Sequence, residues 1–218
     1  MLDFPTSTVI HRALPKTSLF ASFSDRFTPK QRRHFDQNVS RMTLVNELSS
    51  RTLRLPATVD ISCIYVLHIA VKSLRIDKTN LRLLPQLTGQ YLLMHLECDA
   101  HHKLAILYNK LYETDWLPPD RLSAPIHGLD LAQVYQNFVR TILSIPFDAH
   151  GTLDEQIALK AQRDELTNRI ARLEKQSWSE KSPALKLDLI RQLRELQSEL
   201  ELLDSYQGSV VRDQYSDH

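Results

Sequence analysis

The sequence predicts an α+β protein: a compact domain with a mixed or antiparallel sheet and flanking helices, followed by a C-terminal helical hairpin. Two strand-like runs, residues 91–98 and 103–109, are separated by a loop of hairpin length. Strands and helices are mixed without a regular βαβ alternation, which favours α+β. From residue 152 to about 203, Leu and Ile recur at the three- and four-residue steps typical of amphipathic helices.

The N-terminal quarter predicts an irregular lead-in and then a helix. Residues 1–24 contain turn-forming prolines and no clear periodicity. Thr28 followed by Pro29 is typical of a helix N-cap and first helical position. Apolar residues then recur at helical spacing, which predicts an amphipathic helix of about 12–18 residues. The members of this series are Phe35, Val39, Met42 and, as an extension, Leu48.

The middle of the chain predicts the rest of the sheet. Residues 59–72 are rich in β-branched and aromatic side chains. Both the odd-numbered and the even-numbered positions are mostly apolar, which is typical of a central strand covered on two faces. A short helix capped by Asn80 and ended by Gly89 follows. After the strand hairpin, residues 111–117 predict a further strand. Asp130 then caps an amphipathic helix that precedes Pro146.

The last quarter predicts two antiparallel helices that form a coiled-coil hairpin. Thr152 and Glu155 have capping-box spacing, and Ser182-Pro183 marks the start of the second helix. The apolar seam consists of Leu159, Leu166, Ile170, Leu173, Leu189, Leu193, Leu196, Leu200 and Leu203. We therefore predict an α+β domain over residues 1–150, a hairpin arm over 151–206 and a flexible tail over 207–218.

Composition excludes several classes of protein. The chain has 218 residues, 42% of them hydrophobic and 24% charged, which is typical of a globular protein. No apolar run approaches the roughly 20 residues of a membrane helix, and residues 1–16 do not resemble a signal peptide. Cys63 and Cys98 lie in apolar runs, as expected of a reducing compartment. We therefore expect a soluble cytoplasmic protein.

No sequence motif indicates a cofactor or an established catalytic centre. Four glycines are too few for a phosphate-binding or dinucleotide-binding loop, so no cofactor is predicted. Asp60 and Glu97, on two predicted strands, are weak candidates for a metal-dependent nuclease site. The lysine that such a site places one residue beyond the acid is absent, because Cys98 and Asp99 follow Glu97. The sequence therefore favours binding over catalysis.

Histidines raise the separate question of a metal site. The densest group is His95, Asp99, His101 and His102, and a hairpin allows His95 and His101 to approach each other. Adjacent histidines on a turn point to opposite sides, however, and further ligands must come from elsewhere. We predict no metal site.

Positive charge is concentrated in the first third of the chain. The net charge is +1, yet residues 1–80 contain twelve Lys/Arg against six Asp/Glu. Four basic residues around a predicted helix N-terminus are candidates for contact with a nucleic-acid backbone: Arg26, Lys30, Arg32 and Arg33. The alternative is a solvated basic face without a ligand.

The turn of the hairpin is the candidate surface for a protein partner. Trp178, Glu180 and Lys181 lie where one helix ends and the next begins. A tryptophan in a polar turn either packs against the hairpin or is exposed for contact. The arm either reaches a partner, folds back on the domain or pairs with a second copy.

Several segments together resemble a bacterial family catalogued only as a domain of unknown function. They are FPTSTVIHRALPK, VDISCIYVLHIAVK, IDKTNLRLLPQL, KLAILYNK with YETDW, and LEKQSWSEKSPALKLDLIRQLRELQSEL. The chain departs from the family pattern in having His68 in place of a lysine, Leu44 in place of a tryptophan, and Thr88-Gly89-Gln90-Tyr91 in place of an Ile-Pro-Tyr step.

The resemblance implies a genomic context beside superfamily-two helicases and DNA methyltransferases, in restriction-like or antiphage defence clusters. We therefore expect a non-catalytic accessory subunit that docks through its arm on a helicase or methyltransferase, with possible DNA contact from its basic first third. Two alternatives stay open: a nuclease with a degenerate site, and a homo-oligomeric sensor of a phage component.

Overall fold

The computed structural model describes residues 2–147 and 149–213, with side chains as far as residue 204. Over this range the chain forms two compact units, a sheet unit up to Ser144 and a hairpin unit from Ile145. The architecture is α+β, as the sequence predicts.

The sheet unit contains six strands arranged in the order of the chain. All neighbouring strands are antiparallel except the third and fourth, which are parallel. The strands are β1 (Val9–Ala13), β2 (Val39–Ser49), β3 (Cys63–Val71), β4 (Tyr91–Cys98), β5 (His101–Leu107) and β6 (Leu111–Glu113). The helices are α1 (Lys16–Ser22), α2 (Pro29–Asn38), α3 (Ser50–Leu53), α4 (Lys78–Thr88) and α5 (Leu131–Leu143).

The first face of the sheet carries the main hydrophobic core. Helix α4 crosses from β3 to β4, as parallel neighbours require, and packs on this face with α1 and α2. Phe35 of α2 is fully buried there, in edge-to-face contact with Phe20 and Phe27. The buried strand residues on this face are Met42, Leu67, Ile69, Val71, Leu92, Met94, Leu96 and Ala105.

The second face is covered by α5 over part of its length. Tyr135 of α5 makes edge-to-face contact with Tyr91 of β4, and burial raises the pKa of its phenol. The buried residues that alternate with those of the first face are Ile64, Val66, Leu93, Leu104 and Ile106. Further along β3 and β4, this face carries polar side chains instead.

The predicted long helix after Thr28 is wrong in its second half. Thr28 forms the expected capping box, but α2 ends at Asn38 and the next eleven residues form β2. The register of β2 shifts twice, between Val39 and Arg41 and between Leu44 and Asn46. Val39 and Met42, three residues apart, therefore both lie on the first face, and Leu48 pairs with Ile64 of the second. These irregularities break the two-residue alternation, and the remaining apolar spacing resembles that of a helix.

Two local predictions nearby also need correction. The segment up to residue 24 is not irregular throughout, because it contains β1 (Val9–Ala13) and α1 (Lys16–Ser22). Since β1 is an edge strand with mostly exposed side chains, it lacks the alternation by which strands are detected. The N-cap of α4 is Asp77, which accepts a hydrogen bond from the Thr79 amide, and Asn80 is buried inside the helix.

Asp130 caps α5, as the sequence predicts. Its Oδ1 accepts a hydrogen bond of 2.8 Å from the backbone amide of Gln133. We expect Asp130→Ala to lower the free energy of unfolding by about 1 kcal/mol, because that amide loses its acceptor. Asp130→Asn retains an acceptor and should stay close to wild type in urea denaturation, and an equal loss in both variants would contradict the capping role.

The hairpin unit consists of α6 (Leu153–Ser179) and α7 (Pro183–Asp213), which pack together. Thr152 and Glu155 form the predicted capping box, and α7 begins at Pro183. Leu166, Ile170 and Leu196 are buried in the centre of the seam, with three partly buried leucines around them. An ion pair of 3.2 Å between Arg163 and Asp204 joins the helices across the hairpin.

The end of the hairpin differs from the sequence prediction. Residues 207–213, predicted as a flexible tail, belong to α7, and residues 214–218 lie outside the described part of the chain. Among the described helices, none is both long enough and apolar enough to span a bilayer.

Candidate functional site

A group of histidines lies on the polar part of the second sheet face. The β4–β5 hairpin turns through only two residues, Asp99 and Ala100, and Asp99 takes a left-handed conformation with φ of 52°. Strand β5 therefore begins at His101 rather than after the predicted four-residue loop. As a result His102, not His101, meets His95, while His101 pairs with Cys98 and is exposed.

Strand register brings a third histidine and a carboxylate to the same place. His68 of β3 is the parallel partner of His95, and Glu97 of β4 is the antiparallel partner of His102. The Nε2–H of His68 donates a hydrogen bond of 2.6 Å to Oε2 of Glu97. This bond fixes the imidazole and leaves Nδ1 as its second nitrogen.

His95 and His102 form a second hydrogen-bonded pair. Their Nε2 and Nδ1 atoms are 2.9 Å apart, and the ring of His95 also lies 5.2 Å from that of His68. Burial, reinforced by the neighbouring imidazoles of His68 and His102, lowers the pKa of His95 from 6.5 to about 4. His95 is therefore neutral at physiological pH, and one nitrogen of the pair acts as acceptor.

The two more exposed members of the group also have shifted pKa values. Burial tends to raise the pKa of Glu97, but the hydrogen bond from His68 and the nearby imidazoles outweigh it and hold the pKa low. Burial lowers the pKa of His102, partly opposed by the charge of Glu97. The group thus combines an ionised carboxylate, an oriented imidazole and a neutral histidine pair, a set that can bind a polar ligand or transfer protons.

A shallow depression lies over the histidine pair. It is lined by Leu2, His95, His102, Pro119 and Leu122. Within residues 2–147 and 149–204, no three His, Cys, Asp or Glu side chains are arranged so that they could hold a metal ion.

The candidate acids Asp60 and Glu97 are not brought together. Asp60 is exposed in the loop before β3, which begins only at Cys63, whereas Glu97 is level with Ala70 near the other end of that strand. Extended chain spans about 3.3 Å per residue, so roughly 30 Å of chain separates Asp60 from the strand position of Ala70, beside which Glu97 lies. The pair therefore cannot bind one metal ion in this fold.

Two of the four candidate nucleic-acid residues are used within the fold. Arg32 donates to the carbonyl groups of Phe20 and Ser24 and lies over the Phe20 ring, and Arg26 donates to the Gln86 carbonyl. Lys30 and Arg33 are exposed. The basic group thus offers a ligand fewer free hydrogen-bond donors than its sequence indicates.

The turn of the hairpin exposes apolar side chains. Trp178 is 85% exposed, and Leu185 and Leu187 at the start of α7 are 57% and 66% exposed. Lys181 is exposed, whereas Glu180 accepts a hydrogen bond of 2.8 Å from the Ser182 amide and so supports the turn. Of the three candidate partner-binding residues, Trp178 and Lys181 are available for contact.

Sequence reasoning missed His68, which links Glu97 to the histidine pair. A usable signal exists in its position, because His68 is the sixth residue of β3 and His95 the fifth residue of β4. Recognising it requires knowing that these strands are parallel and in register.

The fold and these surfaces define an α+β protein with a mixed six-stranded sheet and a helical hairpin that exposes apolar side chains beside its turn. The chain belongs to the DUF4391 family, described as a domain of unknown function, whose model matches residues 2–200. Comparison with curated proteins and with solved structures gives no significant match.

Proposed function

We propose that this protein is an interaction subunit that docks through the turn of its hairpin on a larger protein. Trp178, Leu185 and Leu187 carry the proposal, because they place apolar area at the end of an otherwise polar hairpin. Exposed tryptophans are strongly enriched among the residues that dominate binding energy at protein interfaces. The three side chains lie within about 6 Å along the helix axis of the turn, at 1.5 Å per residue.

The partner that we propose is a helicase or DNA methyltransferase of a bacterial antiphage defence or restriction-modification-like complex in the cytoplasm. The genomic context implied by the family resemblance motivates this choice. Contact with the DNA backbone by the basic first third of the chain is a further part of the proposal. Lys30 and Arg33 support it, since both are exposed.

The apolar residues favour contact through the turn over pairing along the whole hairpin. Leu166, Ile170 and Leu196 are already buried between α6 and α7. Leu202 is a further exposed apolar residue, but it lies roughly 28 Å along α7 from Pro183. A continuous second apolar stripe, which a long interface between two copies needs, is absent from the side chains described up to residue 204.

Binding to the neighbouring gene products tests this role. We expect the full chain to form a complex with the adjacent helicase or methyltransferase, and Trp178→Ala to weaken it at least tenfold, since a buried aromatic anchor is lost. Leu202→Ser is the matched control and should change the dissociation constant less than twofold. Calorimetry with purified components measures both values.

Two results would contradict the proposal. The first is the lack of a complex with either enzyme at low salt. The second is a complex that Trp178→Ala leaves unchanged. Light scattering of the chain alone tests the homo-oligomer alternative: a dimer that Trp178→Ala dissociates would assign the turn to self-association.

A further inference from the structure

Arg41 faces an open position on the second sheet face, outside the area covered by α5. It is the strand partner of Ala70, which in turn is the partner of Glu97. Met42, the next residue of β2, points into the core of the first face, so Arg41 points to the second. The side chains of Arg41, Ala70 and Glu97 therefore form one row across three strands.

A second row lies beside the first. Thr43 of β2 is the partner of His68, and His68 is the partner of His95. Thr43, like Arg41, is adjacent to Met42 in the strand, so it also points to the second face. The two rows together place a guanidinium, a hydroxyl and an imidazole around Ala70.

Ala70, the middle residue of the first row, has a small side chain and leaves space between its larger neighbours. Strands in a sheet lie about 4.8 Å apart, so β2 and β4 are roughly 10 Å apart across β3. Only a methyl group stands between Arg41 and Glu97, and the described structure contains no ion pair between these two residues. Ala70 is itself partly exposed, so the position above it is open to solvent, and we call this position, bordered by Arg41, Thr43, His68 and Glu97, the recess. Arg41 is exposed, and the side chain of Glu97 is 42% exposed.

The hydrogen-bonding groups around the recess have unused capacity. Within the described part of the chain, neither the Arg41 guanidinium nor the Thr43 hydroxyl has a hydrogen-bond or ion-pair partner. By contrast, Arg32 binds two backbone carbonyls. A cation and a hydroxyl left without partners beside a recess are suited to binding an anion.

His68 of β3 lies beside the same recess. Its Nε2–H is bonded to Glu97, which fixes the imidazole, and its Nδ1 has no hydrogen-bond partner among the described residues. The charged and titratable groups around it are Glu97 and His95 on β4, His102 on β5 and Arg41 on β2. Arg41 and Thr43 are therefore the donors at the recess, and the oriented imidazole of His68 lines it.

We propose that Arg41 and Thr43, beside His68, form a binding site for a phosphate group. A tetrahedral oxyanion accepts hydrogen bonds in several directions, which suits a planar guanidinium and a hydroxyl at one recess. The negative charge of Glu97 at the rim disfavours a doubly charged phosphate relative to a singly charged phosphodiester. The nucleic-acid backbone is therefore the favoured source, and a free phosphate ester is the other.

The inference is independent of the docking role, because all of these residues belong to the sheet unit, and its choice of the nucleic-acid backbone rests on the DNA contact proposed above. The test uses the full chain, with a fluorescein-labelled 20-base-pair DNA duplex followed by anisotropy and inorganic phosphate followed by calorimetry. We expect Arg41→Ala to weaken duplex binding about tenfold and to lower the salt dependence by about one unit of slope.

Arg82→Ala is the matched control, because Arg82 is an exposed arginine on α4, which packs on the first sheet face. It should change duplex affinity less than twofold, and Trp178→Ala should do the same. Phosphate binding that depends on Arg41, without duplex binding, would support the site and assign free phosphate as the source. Lack of binding to both probes, or binding that Arg41→Ala leaves intact, would overturn the inference. Weakening by Arg33→Ala alone would assign the contact to α2 instead.

Discussion

Phe35→Ala is expected to lower the free energy of unfolding of the sheet unit by about 3–5 kcal/mol. Phe35 is fully buried, and its ring lies 5.7 Å from that of Phe20 and 6.1 Å from that of Phe27. Truncation removes the buried apolar area and the two edge-to-face contacts, and it leaves a cavity that the packed surroundings fill only in part. Single domains are stable by about 5–15 kcal/mol, so this is a large fraction of the total.

The two tryptophans allow this loss to be assigned to the sheet unit. Trp116 packs against the main core, whereas Trp178 is exposed in the hairpin. In a Trp178→Phe background, urea denaturation followed by fluorescence reports on Trp116 alone. Phe35→Leu, which keeps most of the volume, is the matched control and should cost less than about 1.5 kcal/mol. An equal and small loss in both variants would show that the site is not close-packed.

Acid is expected to destabilise the sheet unit through His95. Burial, with the imidazoles of His68 and His102, lowers its pKa from 6.5 to about 4 in the folded protein. Between these values the unfolded chain binds a proton that the folded chain does not, so stability falls as the pH drops from about 6.5 to 4. The shift of about 2.5 units corresponds to roughly 3 kcal/mol, and the loss ends below pH 4, where both states are protonated.

His95→Gln should remove most of this dependence. We expect the difference in unfolding free energy between pH 7 and pH 4.5, measured through Trp116, to be smaller than in wild type. His101→Gln is the control, because His101 is exposed on the same strand pair. This variant should show the same pH dependence of the unfolding free energy as wild type. If His95→Gln retains the full dependence, the acid sensitivity comes from other groups.

The hairpin shows which structural features can be predicted from residues close together in sequence. The capped start of α6, the start of α7 at Pro183 and the seam of Leu166, Ile170 and Leu196 were predictable from the sequence and are confirmed. Caps depend on side chains three residues from the amides that they bind, and a helix seam repeats every three or four residues. Both kinds of information are contained in a short stretch of chain.

The histidine group depends on contacts that residues close together in sequence do not determine. His68 and Glu97 are 29 residues apart in sequence and 2.6 Å apart in the structure. Their contact depends on β3 and β4 being parallel and on the register that aligns His68 with His95. A shift of one residue would point these side chains to opposite faces. A two-residue turn in place of the predicted four-residue loop likewise decides that His102 rather than His101 completes the group.

The sequence by itself determined the α+β class, the cap residues Thr28, Asp130 and Thr152, and the hairpin, because each depends on neighbours within one or two turns of chain. Only the tertiary structure decided that residues 39–49 form a strand, that Arg26 and Arg32 are used within the fold, and that Arg41, Thr43, His68 and Glu97 surround Ala70. Those outcomes depend on strand order, a bulge and pairing register, which arise from contacts between segments far apart in the chain.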